Sequence, residues 1–340
     1  MRKISRRSFL TAAAAVTAAG LLAACGSESS SSAASSTVAS SAGSVPAAKT
    51  YKVGVCQLVQ HPALDAATQG FKDVLSDKLG DAVTYVDGNA SGDSANCSTI
   101  IDGFLSEGVD LILANATAPL QAAAAATADI PVLGTSVTDY ATALDIEDWT
   151  GTVGSNISGT SDLAPLDQQA AMLKELFPDA KTVGLLYCSG EPNSVYQCTV
   201  IEGYLTGYGY DVEWYSFNDT NDVNSVAQTA ADNSDVIYIP TDNTAASNTE
   251  AIANVLIPAG VPAVTGEEGI CAGCGVATLS ISYYDLGAAT GAMAYEILVE
   301  GADITTMPVQ YAPEVTKKYN AANAEALNVA IPADYKAIEG

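Results

Sequence analysis

The chain has 340 residues, which is enough for one or two domains. Apolar residues make up 48% of the sequence and supply a core, whereas 39 Asp and Glu against 13 Lys and Arg give a formal net charge of −26. Nucleic acids and anionic lipid surfaces are bound through clustered Lys and Arg, so this charge balance argues against both as partners.

Residues 1–24 are typical of an export signal. Arg6 and Arg7 belong to a basic start, and the apolar run Phe9–Leu22 that follows it is too short for a good transmembrane helix. The string SRRSFL around the two arginines resembles the twin-arginine export motif, with ordinary Sec export as the alternative.

A candidate lipid attachment site ends this signal. Residues 22–26, LAACG, resemble a bacterial lipobox, in which the cysteine, here Cys25, is lipidated and becomes the mature N-terminus. The alternative is a chance cysteine behind a plain cleavage site. Residues 25–50 are rich in Ser and Ala with almost no large apolar side chains, which predicts a flexible tether. We therefore expect the folded part to lie outside the cytoplasmic membrane, anchored by lipid and not spanning it.

From Tyr51 onward, apolar runs of strand length alternate with segments of helical periodicity, the pattern of parallel α/β sheets. Two consecutive sets of similar size indicate two lobes with a cleft between them, and the Gly- and Ser-rich stretch 151–159 looks like a crossover. The first set predicts strands at 53–58, 83–86, 110–115 and 131–137, with helices at 62–78, 95–106 and 119–128. The second set predicts strands at 182–188, 212–216, 236–240, 261–265 and 276–280, with helices at 166–177, 194–206, 223–232, 245–256 and 286–299.

The sequence contains no motif for nucleotide binding or nucleophilic catalysis. It lacks G-x-G-x-x-G, the Walker motif and G-x-S-x-G, and its single histidine, His61, precedes nearly every candidate serine of the folded part. The pair Cys271 and Cys274 is weak evidence for a metal, and we interpret it as a local disulfide or free thiols. The adjacent acids Glu267 and Glu268 are more often solvated than catalytic. We therefore expect no enzyme activity, no metal and no cofactor.

Polar side chains cluster where the predicted strands end. In parallel sheets ligands gather at the carboxyl ends of strands, where hydroxyls and helix N-termini suit a carboxylate and an unpaired acid suits an ammonium. Taken singly, each of the polar side chains at these strand ends can be explained as a helix cap. For His61 the two interpretations, helix cap and ligand contact, are equally good. Together they favour a ligand cleft. They are Gln57, His61, Asn115, Thr117, Thr135, Ser136, Asp139, Asn193, Tyr196, Asp242, Asn243 and Glu267.

Several strings resemble one known family. GVCQLVQHPALD, DLILANATAP, SVTD, GEPNS, IPTDN and YYDLGAATGAMAYEIL, together with the exported lipoprotein start, resemble the substrate-binding lipoproteins of ABC importers, and within them the tryptophan/tyrosine-binding branch. The resemblance covers nearly all of residues 51–309. Two departures are Ala116-Thr117-Ala118-Pro119, where relatives tend to have Thr-Pro, and the Cys271–Cys274 pair, which falls in a predicted loop.

The resemblance implies a type I periplasmic-binding fold, in which two Rossmann-like lobes are joined by three crossovers. The implied division is an N-lobe of residues 51–156 plus 283–304 and a C-lobe of residues 157–282 plus 305–340. The implied function is to bind an amino acid, most simply an aromatic one, and to deliver it as a monomer to an ABC permease. The alternatives are a receptor of the same fold for a sugar, nucleoside or short peptide, a sensor-linked receptor, or an extracellular enzyme.

The resemblance also implies roles for the clustered residues. Asp242 is the first choice for the ligand ammonium, and Asp285 is placed at a crossover or the cleft mouth. The other implied contacts are Gln57 and His61 on the N-lobe wall, Thr117, Thr135 and Ser136 at the α-carboxylate, Asp139 beyond the same strand, and Asn193, Tyr196 and Asn243 from the C-lobe.

Overall fold

The computed structural model describes residues 49–339. The predicted signal, Cys25 and all but the last two residues of the predicted tether therefore lie outside the described residues. The strands are β1 Tyr51–Gln57, β2 Val83–Asn89, β3 Leu111–Asn115, β4 Val132–Val137, β5 Ile157–Ser161, β6 Thr182–Cys188, β7 Asp211–Phe217, β8 Val236–Ile239, β9 Ala263–Thr265, β10 Ala277–Ser280, β11 Gln310–Tyr311, β12 Thr316–Tyr319 and β13 Lys336–Ala337.

Twelve α-helices alternate with these strands within the described residues, and short 3-10 or π turns follow some of them. The helices are α1 Pro62–Leu79, α2 Ser94–Glu107, α3 Thr117–Ala126, α4 Tyr140–Ala143, α5 Leu166–Leu176, α6 Pro192–Gly207, α7 Val223–Asn233, α8 Asn243–Ala246, α9 Thr249–Ala259, α10 Glu268–Cys274, α11 Tyr283–Tyr295 and α12 Ala321–Ala326.

Local sequence accounts for the form of these elements. The strand β3 (LILAN) is buried at every position because it is central and covered on both faces, whereas the edge strand β2 is mostly half-buried or exposed. Helix α1 begins with Pro62, whose missing N–H is not needed in the first turn. It ends at Gly80, whose φ of 53° favours glycine.

The first sheet has six strands in the order β11-β5-β4-β3-β1-β2, and all of its pairings are parallel. Helices α2 and α3 cover one face of this sheet, and α1 and α11 cover the other. We call this unit the N-lobe. Helices α1 and α11 pack closely because Gly287 faces the α1 backbone, where a Cβ would lie 1.9 Å from the carbonyl oxygen of Ala67.

The second sheet has seven strands in the order β13-β12-β10-β9-β8-β6-β7, and only the β10–β12 pairing is antiparallel. Helices α7 and α9 cover one face, and α5 and α6 cover the other. We call this unit the C-lobe. The α/β class with two lobes, predicted from the sequence, is confirmed.

The boundaries between the lobes differ from the predicted ones. Strand β5 pairs with β4 in the N-lobe sheet, so the N-lobe extends beyond residue 156 and the predicted crossover at 151–159 is wrong. Strand β11 also pairs in the N-lobe sheet, although residues 305–340 had been assigned to the C-lobe. The physical reason is that β5 is short and Gly- and Ser-rich, so its sequence looks like a loop, yet all five residues are buried. The three connections between the lobes are residues 162–165, 281–282 and 312–315.

Two further local predictions need correction. The predicted helix over 245–256 is two helices, α8 and α9, separated at Ser247 and Asn248. The segment around Cys271 and Cys274 is the short helix α10 and not a loop, because the Glu267 side chain caps its first turn. The six cysteines of the described residues are all free and buried.

Candidate functional site

A small enclosed cavity lies where the carboxyl ends of the two sheets face each other. Its volume of about 10 Å³ is close to what one water molecule occupies. The N-lobe, the C-lobe and the first connection between them all contribute side chains. The lining consists of His61, Leu64, Ser136, Thr138, Asp162, Asn193, Thr241, Asp242, Asn243, Ala246, Glu267 and Tyr283.

His61 joins the two lobes across this cavity. It precedes α1 with extended backbone, and its Nε2 lies 3.2 Å from Oδ1 of Asn243 in the C-lobe. Within the described part of the chain its buried Nδ1 has no hydrogen-bond partner. Burial lowers the pKa of the imidazole, which favours the neutral form. Because Nε2 faces an amide oxygen it carries the proton, and the neutral ring therefore presents Nδ1 as an acceptor.

Ser136 is held in an unusual backbone conformation. Its φ is 53°, in the left-handed region that non-glycine residues rarely adopt. The pairing of β4 with β5 shifts register between Gly134 and Val137, which makes room for this conformation. The Ser136 Oγ is buried in the cavity wall without a hydrogen-bond partner among residues 49–339. Strained residues of this kind concentrate at functional sites.

Asp162 lies on the first connection between the lobes and Tyr283 begins the helix after the second. The Tyr283 hydroxyl donates to Oδ2 of Asp162 over 2.9 Å. The other carboxylate oxygen, Oδ1, is buried and has no partner in the described structure. Burial raises the pKa of Asp162, and the nearby hydroxyls of Tyr283 and Thr138 oppose that shift. Asp162 is therefore a buried acid with one acceptor atom available at the cavity.

Asp242 lines the cavity, but both of its carboxylate oxygens already have hydrogen-bond partners. Oδ1 accepts from the Ala245 amide at 2.8 Å, and Oδ2 accepts from the Cys188 amide and the Ser194 hydroxyl at 2.7 Å each. Burial, followed by the charge of Glu191, raises the pKa of Asp242 to about 8. These contacts make Asp242 the cap of α8 and a link to β6, so its geometry favours a structural role over the predicted ammonium contact.

Two more acids occupy helix starts in the C-lobe. Glu191 accepts from the backbone amides of Asn243 and Thr244 and from both of their side chains, at 2.8–2.9 Å. Glu267 accepts from the amides of Gly269 and Ile270 at the start of α10. Burial raises the pKa of Glu267 to about 7. The N-termini of α8 and α10 are therefore filled by the protein's own carboxylates, whereas α6, whose residue Asn193 lines the cavity, has no side-chain cap.

The structure brings six of the thirteen predicted site residues to the cavity. They are His61, Ser136, Asn193, Asp242, Asn243 and Glu267.

The other seven predicted residues lie elsewhere among the described residues. Gln57 bonds Asp65 and Thr68 inside the N-lobe, and Asn115 bonds the Leu64 carbonyl and Thr68. These polar side chains at strand ends are used to hold α1 against the sheet, and so they do not reach the ligand cleft. Thr117 starts α3, Thr135 bonds Thr160, and Asp139 caps α4. Tyr196 lies near Asp139 at the lobe boundary. Asp285 lines a larger groove beside the connections, which shares Glu267 and Tyr283 with the cavity.

Sequence reasoning missed Asp162 and Tyr283. Asp162 was overlooked because β5 was not recognised as a strand, so the acid directly after it did not appear at a strand end. Tyr283 lies in the recognised string YYDLG, but only its neighbour Asp285 was chosen. A buried tyrosine at the start of a helix that follows a connection was the available signal.

Neither a metal cluster nor a membrane-spanning helix emerges from residues 49–339. No group of three His, Cys, Asp or Glu is arranged to hold a metal ion there. No helix in that range is both long and apolar enough to cross a bilayer.

Comparison with known proteins adds the family. The family model described as "ABC transporter substrate binding protein" matches residues 52–337, and a twin-arginine translocation signal model matches residues 3–23. The chain is a member of the ABC transporter substrate-binding protein family.

One curated relative of this substrate-binding protein is named a tyrosine-binding protein, from Clostridioides difficile strain R20291. The two are 34% identical over 284 residues, which span 83% of this chain and 82% of the relative. The fold is that of type I periplasmic-binding proteins, as the sequence resemblance had implied.

Two solved structures differ instructively in their similarity to this substrate-binding protein. An ABC domain from Streptococcus pneumonia in complex with L-Trp is 31% identical, with a TM-score of 0.81 over 85% of this chain and 100% of that one. The ligand-free, open structure of a substrate-binding protein with adhesive properties from Clostridium difficile is 33% identical, with a TM-score of 0.65 over 85% of this chain and 99% of that one. Because identity and coverage are nearly equal, the lower score reflects geometry. The structure described here is therefore more similar overall to the L-Trp complex than to the ligand-free, open structure.

Proposed function

We propose that this protein is an extracytoplasmic receptor that binds an aromatic amino acid between its two lobes and delivers it to an ABC permease. The observation that carries the proposal is the set of buried, unpartnered polar atoms at one interlobe cavity, counted within the described residues: Nδ1 of His61, Oγ of Ser136 and Oδ1 of Asp162. Buried polar groups are normally hydrogen-bonded, and three exceptions at one cavity indicate a missing polar partner.

The ligands named for two similar proteins support an aromatic ligand. The curated relative is named for tyrosine, and the similar solved structure contains L-Trp. In this chain Asp162 is the best candidate for the ammonium, in place of the predicted Asp242, because Asp162 retains an acceptor atom and Asp242 does not.

Binding requires movement of the lobes. A cavity of about 10 Å³ holds no amino acid side chain, so the ligand must enter an open form and the lobes must then close around it. The His61–Asn243 hydrogen bond joins the lobes directly and is one contact that favours closure. A ligand stabilises closure only by binding the closed form more tightly than the open one.

Location and delivery belong to the same proposal. The signal match and the family support an extracytoplasmic location. We propose further that Cys25 carries the lipid anchor, that twin-arginine export delivers the chain, and that the protein acts as a monomer that docks on a permease in its closed form.

A thermal-shift panel of the common amino acids tests the proposal. A ligand present at 100 times its Kd stabilises the folded state by about 2.7 kcal/mol. For a chain of this size that corresponds to roughly a 5–10 °C rise in Tm. We expect this rise with at least one of Trp, Tyr and Phe and none with Asp, Glu or Lys. A panel with no rise for any amino acid contradicts the proposal, and a rise with a sugar or nucleoside alone selects the alternative receptor class.

A further inference from the structure

The folded part of the chain has no arginine. All three arginines, Arg2, Arg6 and Arg7, lie in the signal, and residues 49–339 contain only lysines as permanent cations. None of those lysines lines the interlobe cavity, whose described lining includes three acids, Asp162, Asp242 and Glu267. An amino acid's carboxylate is most strongly held by a guanidinium or an ammonium, and this cavity offers neither.

Two of the C-lobe helix starts are closed to a ligand carboxylate. The amides at the starts of α8 and α10 could bind an anion, but Glu191, Asp242 and Glu267 already occupy them. A ligand carboxylate placed there would meet acids instead of free N–H groups.

The unpartnered atoms at the cavity require hydrogen-bond donors. Oδ1 of Asp162 is an acceptor, and Nδ1 of His61 is an acceptor because Nε2 carries the proton that faces Asn243. Oγ of Ser136 can accept as well as donate. A primary ammonium has three N–H donors, and its size is close to that of the single water that the cavity of about 10 Å³ would hold.

We propose that this cavity is an ammonium pocket and that the protein recognises its ligand by the amine, so that aromatic amines lacking the carboxylate are also ligands. This inference rests on the proposed function for the aromatic part of the ligand. The ammonium contributes a charge-assisted hydrogen bond to a buried carboxylate, whereas the ligand carboxylate meets neutral donors at best.

Calorimetry with three matched compounds tests the inference: L-tyrosine, tyramine, which lacks the carboxylate, and 3-(4-hydroxyphenyl)propionate, which lacks the amine. The tryptophan series with tryptamine and indole-3-propionate provides a second set. We expect the amine to bind within about tenfold of its parent amino acid, since it loses only hydrogen bonds from neutral donors. We expect the deaminated acid to bind at least about 100-fold more weakly, since it leaves Asp162 unpaired.

The outcomes separate the two proposals. If the amino acid binds and both amines bind more than 100-fold more weakly, the inference is overturned and the proposed function stands. If the amines bind and no amino acid does, the inference stands and the proposed function fails. Binding of none of these compounds overturns both.

A variant provides an independent check. Ser136→Ala should weaken the amino acid and its amine by similar factors, because Ser136 then acts on the shared ammonium. A loss confined to the amino acid would instead place the carboxylate at Ser136 and overturn the inference.

Discussion

Replacing Asp162 by Asn should weaken ligand binding strongly while leaving the fold intact. The substitution keeps a side-chain oxygen that can accept from Tyr283 and removes only the charge. It also removes a buried acid whose pKa is raised by burial, so the empty protein should lose no stability. Breaking a buried, hydrogen-bonded charge pair costs about 2–5 kcal/mol of binding free energy, which corresponds to roughly 30- to 4,000-fold in Kd.

The matched control is Asp242→Ala, at a second buried acid of the same cavity. It leaves the Cys188 and Ala245 amides and the Ser194 hydroxyl without their acceptor. A lost cap and unsatisfied buried donors should cost about 3 kcal/mol of folding free energy, seen as a fall in Tm of roughly 5–10 °C. Calorimetry and thermal melts of both variants are the assay. The assignment of the ammonium to Asp162 is refuted if Asp162→Asn binds like the wild type while Asp242→Ala melts normally and does not bind.

Four further outcomes follow from the same geometry. Affinity for the amino acid should fall as pH falls through the raised pKa of Asp162, because the protonated acid cannot hold an ammonium; Asp162→Asn should abolish this dependence in calorimetry at several pH values. Because the pKa of Glu267 is raised from 4.5 to about 7 in the folded protein, this group contributes folding stability that is fully present below pH 4.5 and is lost as the pH rises to about 7. The contribution amounts to roughly 3 kcal/mol. Denaturant melts of Glu267→Gln should therefore show a flatter dependence of stability on pH than those of the wild type. Gly287→Ala should lower the free energy of unfolding by about 2 kcal/mol or more, because the new Cβ would meet the Ala67 carbonyl. Its control, Gly103→Ala in α2, has open space around it and should raise the free energy of unfolding by about 0.5–1 kcal/mol. Equal effects of the two substitutions would contradict the α1–α11 contact. Cys25→Ser should abolish incorporation of labelled fatty acid and release the protein from the membrane fraction, and retention of label would exclude Cys25 as the lipid site.

The sequence predicted the regular parts of the fold because their patterns are strong. Continuous apolar runs such as TVGLLYC and DLILAN form buried strands in α/β proteins, and they lie in β6 and β3 of the structure. Strand β5 (ISGTS) could not be recognised in this way. Its burial comes from its neighbours β4 and β11, which are contacts between residues distant in sequence.

The candidate site was harder to predict than the fold. The sequence singled out polar residues at strand ends as a group, and six of the thirteen line the interlobe cavity. The sequence cannot separate the residues that hold the protein together from those left over for a ligand. Asp242 and Asp162 illustrate the point. Both are buried acids after a strand, and only the three-dimensional count of hydrogen bonds shows that Asp242 is saturated and Asp162 has an acceptor atom to spare.

The central claim is that the interlobe cleft binds an aromatic amino acid through its ammonium. Isothermal titration calorimetry of the purified protein with L-Trp, L-Tyr and L-Phe, repeated with Asp162→Asn, tests it most directly. We expect one-to-one binding of at least one of the three by the wild type and a loss of at least about 30-fold in the variant. The absence of binding to all three, or equal binding by the wild type and the variant, would contradict the claim.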